Sequence, residues 1–191
     1  RLVLPQELLT IGAAAFSGCS TLNYVEFGEK LTTIESSAFW NSGLYSADLP
    51  DSLVEIGNGA FRGTPLSEIV IPAGVEFIGH TAFMGCARMR SASIPASVTE
   101  IYNTSSMDFG ILSQNEKGIH YVDNWVVGKD EGITTAIIRP GTVGIGDSAF
   151  EGDCKGLVNV VYPSSLKYIG EWAFETYVGW SVSNTYYLGT R

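Results

Sequence analysis

A six-residue phrase, Ile-(Gly/Glu)-x-x-Ala-Phe, returns along this chain at a nearly fixed interval, and no other property of the sequence narrows the fold as much. It reads Ile11-Gly12 with Ala15-Phe16, Ile34-Glu35 with Ala38-Phe39, Ile56-Gly57 with Ala60-Phe61, and Ile78-Gly79 with Ala82-Phe83. It returns as Ile145-Gly146 with Ala149-Phe150 and Ile169-Gly170 with Ala173-Phe174. From one Ile to the next the steps are 23, 22, 22, 67 and 24 residues, and Ile101 divides the 67 into 23 and 44. The long step is three periods, so the phase survives it. A unit this short cannot bury its own apolar edge and must stack on its neighbours.

A second phrase keeps the same period: an apolar residue, two variable positions, a small or β-branched residue, one variable position, an apolar residue, then Pro. It appears as Leu44 to Leu49-Pro50, Leu66 to Ile71-Pro72, Met89 to Ile94-Pro95 and Leu157 to Tyr162-Pro163. Alternation that stops at Pro is a short strand, because the missing N–H ends the ladder. A second extended piece follows, carrying Leu53/Ile56, Val75/Ile78 and Val98/Ile101. The Ala-Phe segment after it reads as a single helical turn, with Gly allowing a tight entry. The expectation is an α/β right-handed solenoid over residues 1–191, one domain of about seven to eight coils with a parallel sheet on one face and short helical turns. Phe16, Phe39, Phe61, Phe83, Phe150 and Phe174 should form one aromatic file, each adding roughly 2 to 3 kcal/mol by burial.

Composition enters as a set of exclusions. A formal net charge of −9 with no basic run argues against nucleic acid or an anionic membrane surface as partner. The apolar runs fall well short of the roughly 20 residues a membrane-spanning helix needs. The chain starts inside a repeat, at Arg1-Leu2-Val3-Leu4-Pro5, so its natural N-terminus is expected elsewhere. Cys19, Cys86 and Cys154 share one slot in coils spaced three apart, about 14 Å at strand spacing. A disulfide needs Cα atoms within about 7 Å, so three buried free thiols are expected and no metal site.

The phrases Ile71-Pro72, Val75-x-x-Ile78-Gly79 and Ala82-Phe83-x-x-Cys86 resemble the BspA-type leucine-rich repeats of bacterial surface proteins. The resemblance covers nearly the whole chain and implies secretion or surface display, with adhesion to host or microbial surface and matrix proteins. Residues 102–132 depart from it. Ile101 is followed by Tyr102-Asn103-Thr104-Ser105-Ser106-Met107-Asp108-Phe109 where the Gly-x-x-Ala-Phe turn should be. Next come Ile119 to Val122 and Trp125 to Gly128 around Asp123-Asn124, a hairpin signal. The strand Ile133 to Arg139-Pro140 then re-enters the repeat. Similar sequences in the family carry such a hairpin, which reads as an ornament packed on the solenoid.

Catalytic and cofactor motifs are weak. Gly144-Ile145-Gly146-Asp147-Ser148-Ala149 matches a dinucleotide fingerprint, but its second Gly and its Ala belong to the repeat, and no βαβ unit surrounds it. His80 and His120 have no second His or Cys at ligand spacing. Asp123, Asp130 and Glu131 lack the donor spacing of a calcium loop and read as solvated turns. Asn103-Thr104-Ser105 is a glycosylation sequon with meaning only in a glycosylating host. No Gly-x-Ser-x-Gly elbow or His-Glu-x-x-His pair is present. The expectation is therefore a monomer without cofactor, metal or enzymatic activity.

In a solenoid, alternate strand residues point outward onto a shared face. Counting back two and four from the Pro slot gives Tyr24 and Glu26, Ser46 and Asp48, Glu68 and Val70, Ser91 and Ser93, Ala136 and Ile138, and Asn159 and Val161. A partner docked there would meet Glu26, Asp48 and Glu68 at one end and Ile138 and Val161 at the other. Like charges one strand apart repel, so a retained acidic stack suits a basic segment. A spacer that holds another domain off the surface is the alternative. A binding module should show a contiguous apolar or aromatic patch, for which Tyr121 and Trp125 in the hairpin are candidates.

Overall fold

Alternation supplies the strands, most of them only two or three residues long, so each coil contributes short segments to two ladders. The computed structural model describes residues 1–101, 114–150, 156–174 and 184–188. In chain order the strands begin with β1 (Leu2–Val3), β2 (Thr10–Ile11), β3 (Tyr24–Glu26), β4 (Thr33–Ile34), β5 (Ser46–Ala47) and β6 (Glu55–Ile56). They continue with β7 (Glu68–Val70), β8 (Phe77–Ile78), β9 (Ser91–Ser93), β10 (Glu100–Ile101), β11 (Gln114–Glu116) and β12 (Ile119–Val122). The series ends with β13 (Trp125–Lys129), β14 (Thr135–Ile137), β15 (Gly144–Ile145), β16 (Asn159–Pro163), β17 (Tyr168–Ile169) and β18 (Asn184–Leu188).

The first ladder runs β1-β3-β5, then β7-β9, then β14-β16-β18. The second runs β2-β4-β6-β8-β10 and then β11-β12-β13-β15-β17. The register is that of the repeat: Ile11 opposes Ile34, Ile34 opposes Ile56, and Ile56 opposes Ile78. About seven turns result.

The Ala-Phe segment is not helical, and no helix occurs among the described residues. The third position after each Ile has a positive φ: Ala14 55°, Ser37 57°, Gly59 60°, Thr81 55°, Ser148 56° and Trp172 52°. The seventh does too, at Gly18, Asn41, Gly63 and Gly85. Left-handed residues break an α-helix, and the backbone here bonds to the next coil instead. Ser37 N–H donates to Asn58 O at 2.7 Å, Phe39 N–H to Ala60 O at 2.7 Å, and Asn41 N–H to Arg62 O at 2.8 Å. The residues between close local turns, as Ala38 N–H does to Glu35 O. This third side thus has its own ladder, which satisfies the backbone as fully as a helix would.

Such close stacking explains the Gly after Ile56, Ile78 and Ile169. A Cβ on Gly57 would lie 2.8 Å from the backbone of Glu35, and one on Gly79 2.5 Å from Asn58 N. Inside the coils, Leu31, Ile34, Phe39, Leu44, Leu53, Ile56, Phe61 and Leu66 are fully buried. Among the described residues, the phenylalanines expected in one file stack face to face in two runs. Phe16, Phe39, Phe61 and Phe83 have centroid steps of 5.2, 5.4 and 5.5 Å, and Phe150 stacks on Phe174 at 4.7 Å.

The cysteine expectation holds in part. Cys86 is a buried free thiol that bonds Phe61 O at 3.2 Å beside the Thr64 hydroxyl at 3.3 Å, and burial pushes its pKa up. Cys19 is free but exposed. Cys154 and the sequon at residues 103–105 lie outside the described residues.

Candidate protein-binding face

On the first ladder the expected alternation is present through β9. Val25, Ala47 and Ile69 point into the core, while Glu68, Val70, Ser91 and Ser93 are exposed and Tyr24, Glu26 and Ser46 half-buried. Asp48 is exposed as well. Register places Tyr24 opposite Ser46, so Glu26 and Asp48 share the next outward column. Ser67 N–H donates to Tyr45 O, which sets Glu68 in the Ser46 column, diagonal to Asp48. Glu26 also pairs with Arg1, whose guanidinium lies 5.6 Å from the Tyr24 ring centroid. The acidic stack is therefore two carboxylates in file and one offset.

Beyond the hairpin the count from Pro fails by one residue. Thr135 opposes Asn159, Ala136 opposes Val160, and Ile137 opposes Val161. Ala136 and Ile138 are fully buried, and it is Ile137, 51% exposed, that faces outward beside Val161. Period-two geometry makes any one-residue slip exchange the two faces. Arg139 is the added residue, standing between the apolar Ile138 and Pro140.

The hairpin forms around Asp123, with φ 50°, but as a three-stranded antiparallel meander β11-β12-β13. It is more than an ornament, since β13 joins the second ladder with Trp125 opposite Gly144 and Val126 opposite Ile145. Both of its faces are buried. Val122, Trp125 and Val127 pack into the core of the N-terminal coils, and Ile119, Tyr121 and Val126 into that of the C-terminal coils. Tyr121 and Trp125 are 1% and 0% exposed, so neither contributes to a surface patch. A Cβ on Gly144 would overlap the Trp125 indole, so the first Gly of the fingerprint serves packing.

Arg139 ties this joint together. Its guanidinium stacks on Tyr121 at 4.2 Å, donates to Glu116, Gln114 and the backbone O of Asp123, and its N–H donates to Tyr121 Oη at 3.1 Å. Burial raises the Tyr121 pKa against these contacts. The Asp123 carboxylate accepts from Ile94 N–H at 2.9 Å and from the Ser93 hydroxyl at 3.4 Å, pinning the hairpin tip to the end of β9. At the other end of the meander, Asp130 takes the Asn115 amide at 2.8 Å and His120 Nε2 at 2.7 Å, and these bonds lower its pKa. Asp123 and Asp130 thus serve separate ends of the hairpin. His80 is exposed. Among the described residues no three His, Cys, Asp or Glu side chains converge as metal ligands, and no helix is long and apolar enough to cross a membrane.

A model of the BspA type leucine rich repeat region matches residues 1–109 and 117–181 in six copies. Comparison with curated proteins yields no match. Among solved structures, the chain is similar to the T. pallidum leucine-rich repeat protein, at 27% identity and TM-score 0.60 over 81% of this chain and 63% of that one. It is also similar in fold to a leucine-rich repeat protein from Bacteroides ovatus, at 24% identity and TM-score 0.51 over 91% of this chain and 63% of that one. The chain spans less than two thirds of either relative. Period, register and family match agree, and the chain belongs to the BspA-type leucine-rich repeat family.

Proposed function

We propose that this solenoid is a protein-binding scaffold of a secreted or cell-surface bacterial protein, with its partner docked on the outer face of the first ladder. The observation that carries the reading is the order of groups on that face. Tyr24, Glu26, Ser46, Asp48 and Glu68 form an acidic, mostly polar stretch that ends at the exposed Val70, and Ile137 beside Val161 forms an apolar pair next to Thr135 and Asn159. Carboxylates attract a basic segment, and exposed aliphatic groups gain by being covered. The resemblance to surface proteins supports display outside the cell, and adhesion to matrix or surface proteins is the role it suggests.

Capture of the purified chain by immobilised fibronectin, laminin and collagen tests the reading, alongside the charge-reversed variant E26K/D48K. Capture by one of them with a loss of about tenfold in the variant is expected. No capture, or capture that the reversal leaves unchanged, contradicts it. Burial of Tyr121 and Trp125 favours a second reading, a spacer, because it removes the aromatic patch a binding module would offer. A spacer captures none of the three.

A further inference from the structure

The first ladder is interrupted between β9 and β14. Among the described residues β9 pairs with β7 on one side only, and β14 with β16. The meander stands in the interruption without pairing to β9, and a cleft of about 370 Å3 opens between them, lined by residues 90–93 on one side and by Gln114, Val122 and Asp123 on the other.

β9 therefore has an open edge, and the register fixes which backbone groups lie on it. In a parallel pair, alternate residues turn their N–H and C=O to opposite sides. Ser93 O accepts from Ile71 N–H at 3.0 Å, so Ser91 and Ser93 bond toward β7 and Ala92 turns away from it. The Arg90 C=O shares the open side and has no donor among the described residues. Elsewhere the residue after a strand donates its N–H to the next coil, as Leu4 does to Glu26 O at 2.9 Å, Ile71 to Ser93 O, and Ile138 to Val161 O at 2.9 Å. After β9 the corresponding Ile94 N–H donates to Asp123 Oδ2 at 2.9 Å. A side-chain oxygen thus stands where a further strand would place a carbonyl. The inward slot records the missing neighbour too: Val25, Ala47, Ile69, Ala136 and Val160 are buried in it, whereas Ala92 is half-buried.

What remains on this edge is an alternation of acceptor and donor, the Arg90 C=O, the Ala92 N–H and the Ala92 C=O. An extended backbone offers the complementary alternation, which is how open edges recruit strands. The charged side chains beside them, Arg90 and Asp123, are opposite in sign and favour neither an acidic nor a basic segment. A residue opposite Ala92 would turn inward beside Val122, so an aliphatic side chain suits that place.

We infer that the open edge of β9 takes an extended segment of the docked protein as an added strand, parallel to β9 like the other rungs of this ladder, with an aliphatic residue opposite Ala92. The inference rests on the protein-binding reading and adds the way one segment of the partner is held.

Titration of the 15N-labelled chain with Ac-Thr-Val-Thr-NH2 tests it, alongside the same peptide N-methylated at Val or at the second Thr. The unmethylated peptide should shift the amides of Ala92 and Ile94 and slow hydrogen exchange at Ala92. In the parallel register the second Thr donates to Ala92 O while the Val N–H points away. Methylation at that Thr should therefore weaken binding about tenfold, and methylation at Val should change it by less than about twofold. An Ala92 amide already protected in the chain alone, shifts centred elsewhere, equal affinities of the three peptides, or a greater loss on methylation at Val overturns the added strand. A concentration-dependent shift of Ala92 in the chain alone overturns it in favour of a second copy, and displacement of the peptide by chitotriose at equal concentration in favour of a saccharide. If the peptide binds as described while E26K/D48K leaves partner capture unchanged, the docking face fails and the strand site stands. The converse pair of results removes the strand site alone.

Discussion

The indole of Trp125 lies across the α-carbon of Gly144, its partner in the parallel pairing of β13 with β15. A side chain at position 144 would push the indole away and separate the two cores that meet there. Gly144→Ala should lower stability by about 1 to 3 kcal/mol through overpacking, read as a lower urea midpoint. Trp125 Nε1 is buried with no acceptor among the described residues. Trp125→Phe should therefore cost little beyond lost volume, whereas Trp125→Ala should cost about 3 to 5 kcal/mol.

Phe61 stacks on both Phe39 and Phe83 and is fully buried. Phe61→Ala should cost about 3 to 5 kcal/mol, since a rigid file cannot collapse into the cavity. Phe16, which is half-buried, should cost less when truncated. Equal shifts in the two denaturation curves would contradict the file.

Thiol accessibility separates two residues of one repeat slot. Cys19 should react with iodoacetamide in the native protein, while Cys86 should react only on unfolding, because burial holds it as the thiol. Peptide mapping by mass spectrometry assigns the labelled site. Native-state labelling of Cys86 would contradict its burial.

Arg139→Ala should free the meander from the returning strand, because one guanidinium reaches Gln114, Glu116, Asp123 and Tyr121. The loss should be about 2 kcal/mol. Hydrogen exchange should quicken at residues 119–127 before it does at β4 or β6.

The far end of the meander should respond to acid. Asp130 has a pKa below the ordinary carboxylate value because Asn115 and then His120 bond its charged form. Its contribution is complete above the unfolded carboxylate value and is lost as pH falls through the lowered folded value. Asp130→Asn should remove this acid-dependent step, followed through the Asp130 amide that bonds Gly118 O at 2.8 Å.

The coils were legible in the sequence because the central ones bury the same Ile, Ala and Phe, as at Ile34, Ala38 and Phe39 or Ile56, Ala60 and Phe61, and a repeated cost leaves a repeated residue. The left-handed turns were not, since the residues at the third position are Ala14, Ser37, Gly59, Thr81, Ser148 and Trp172, which share no side-chain chemistry. Their conformation is set by bonds to the next coil. On the candidate face, anchoring the count on Pro140 misplaced Ile138. Anchoring it on the last apolar residue before Pro finds the right phase, and a charged Arg139 in that place was the available sign. Tyr121 and Trp125 looked like surface aromatics because a hairpin outside the period suggests an appendage. Apolar residues on both faces of Tyr121 to Val127 were the signal that it is buried on both sides.

The outward face on which the account rests can be read from one spectrum of isoleucine-methyl-labelled protein with a soluble paramagnetic agent. Ile137 should lose intensity while Ile138, Ile34, Ile56, Ile78 and Ile145 keep theirs. An Ile138 signal quenched as strongly as that of Ile137 would contradict the register of β14 and the face built upon it.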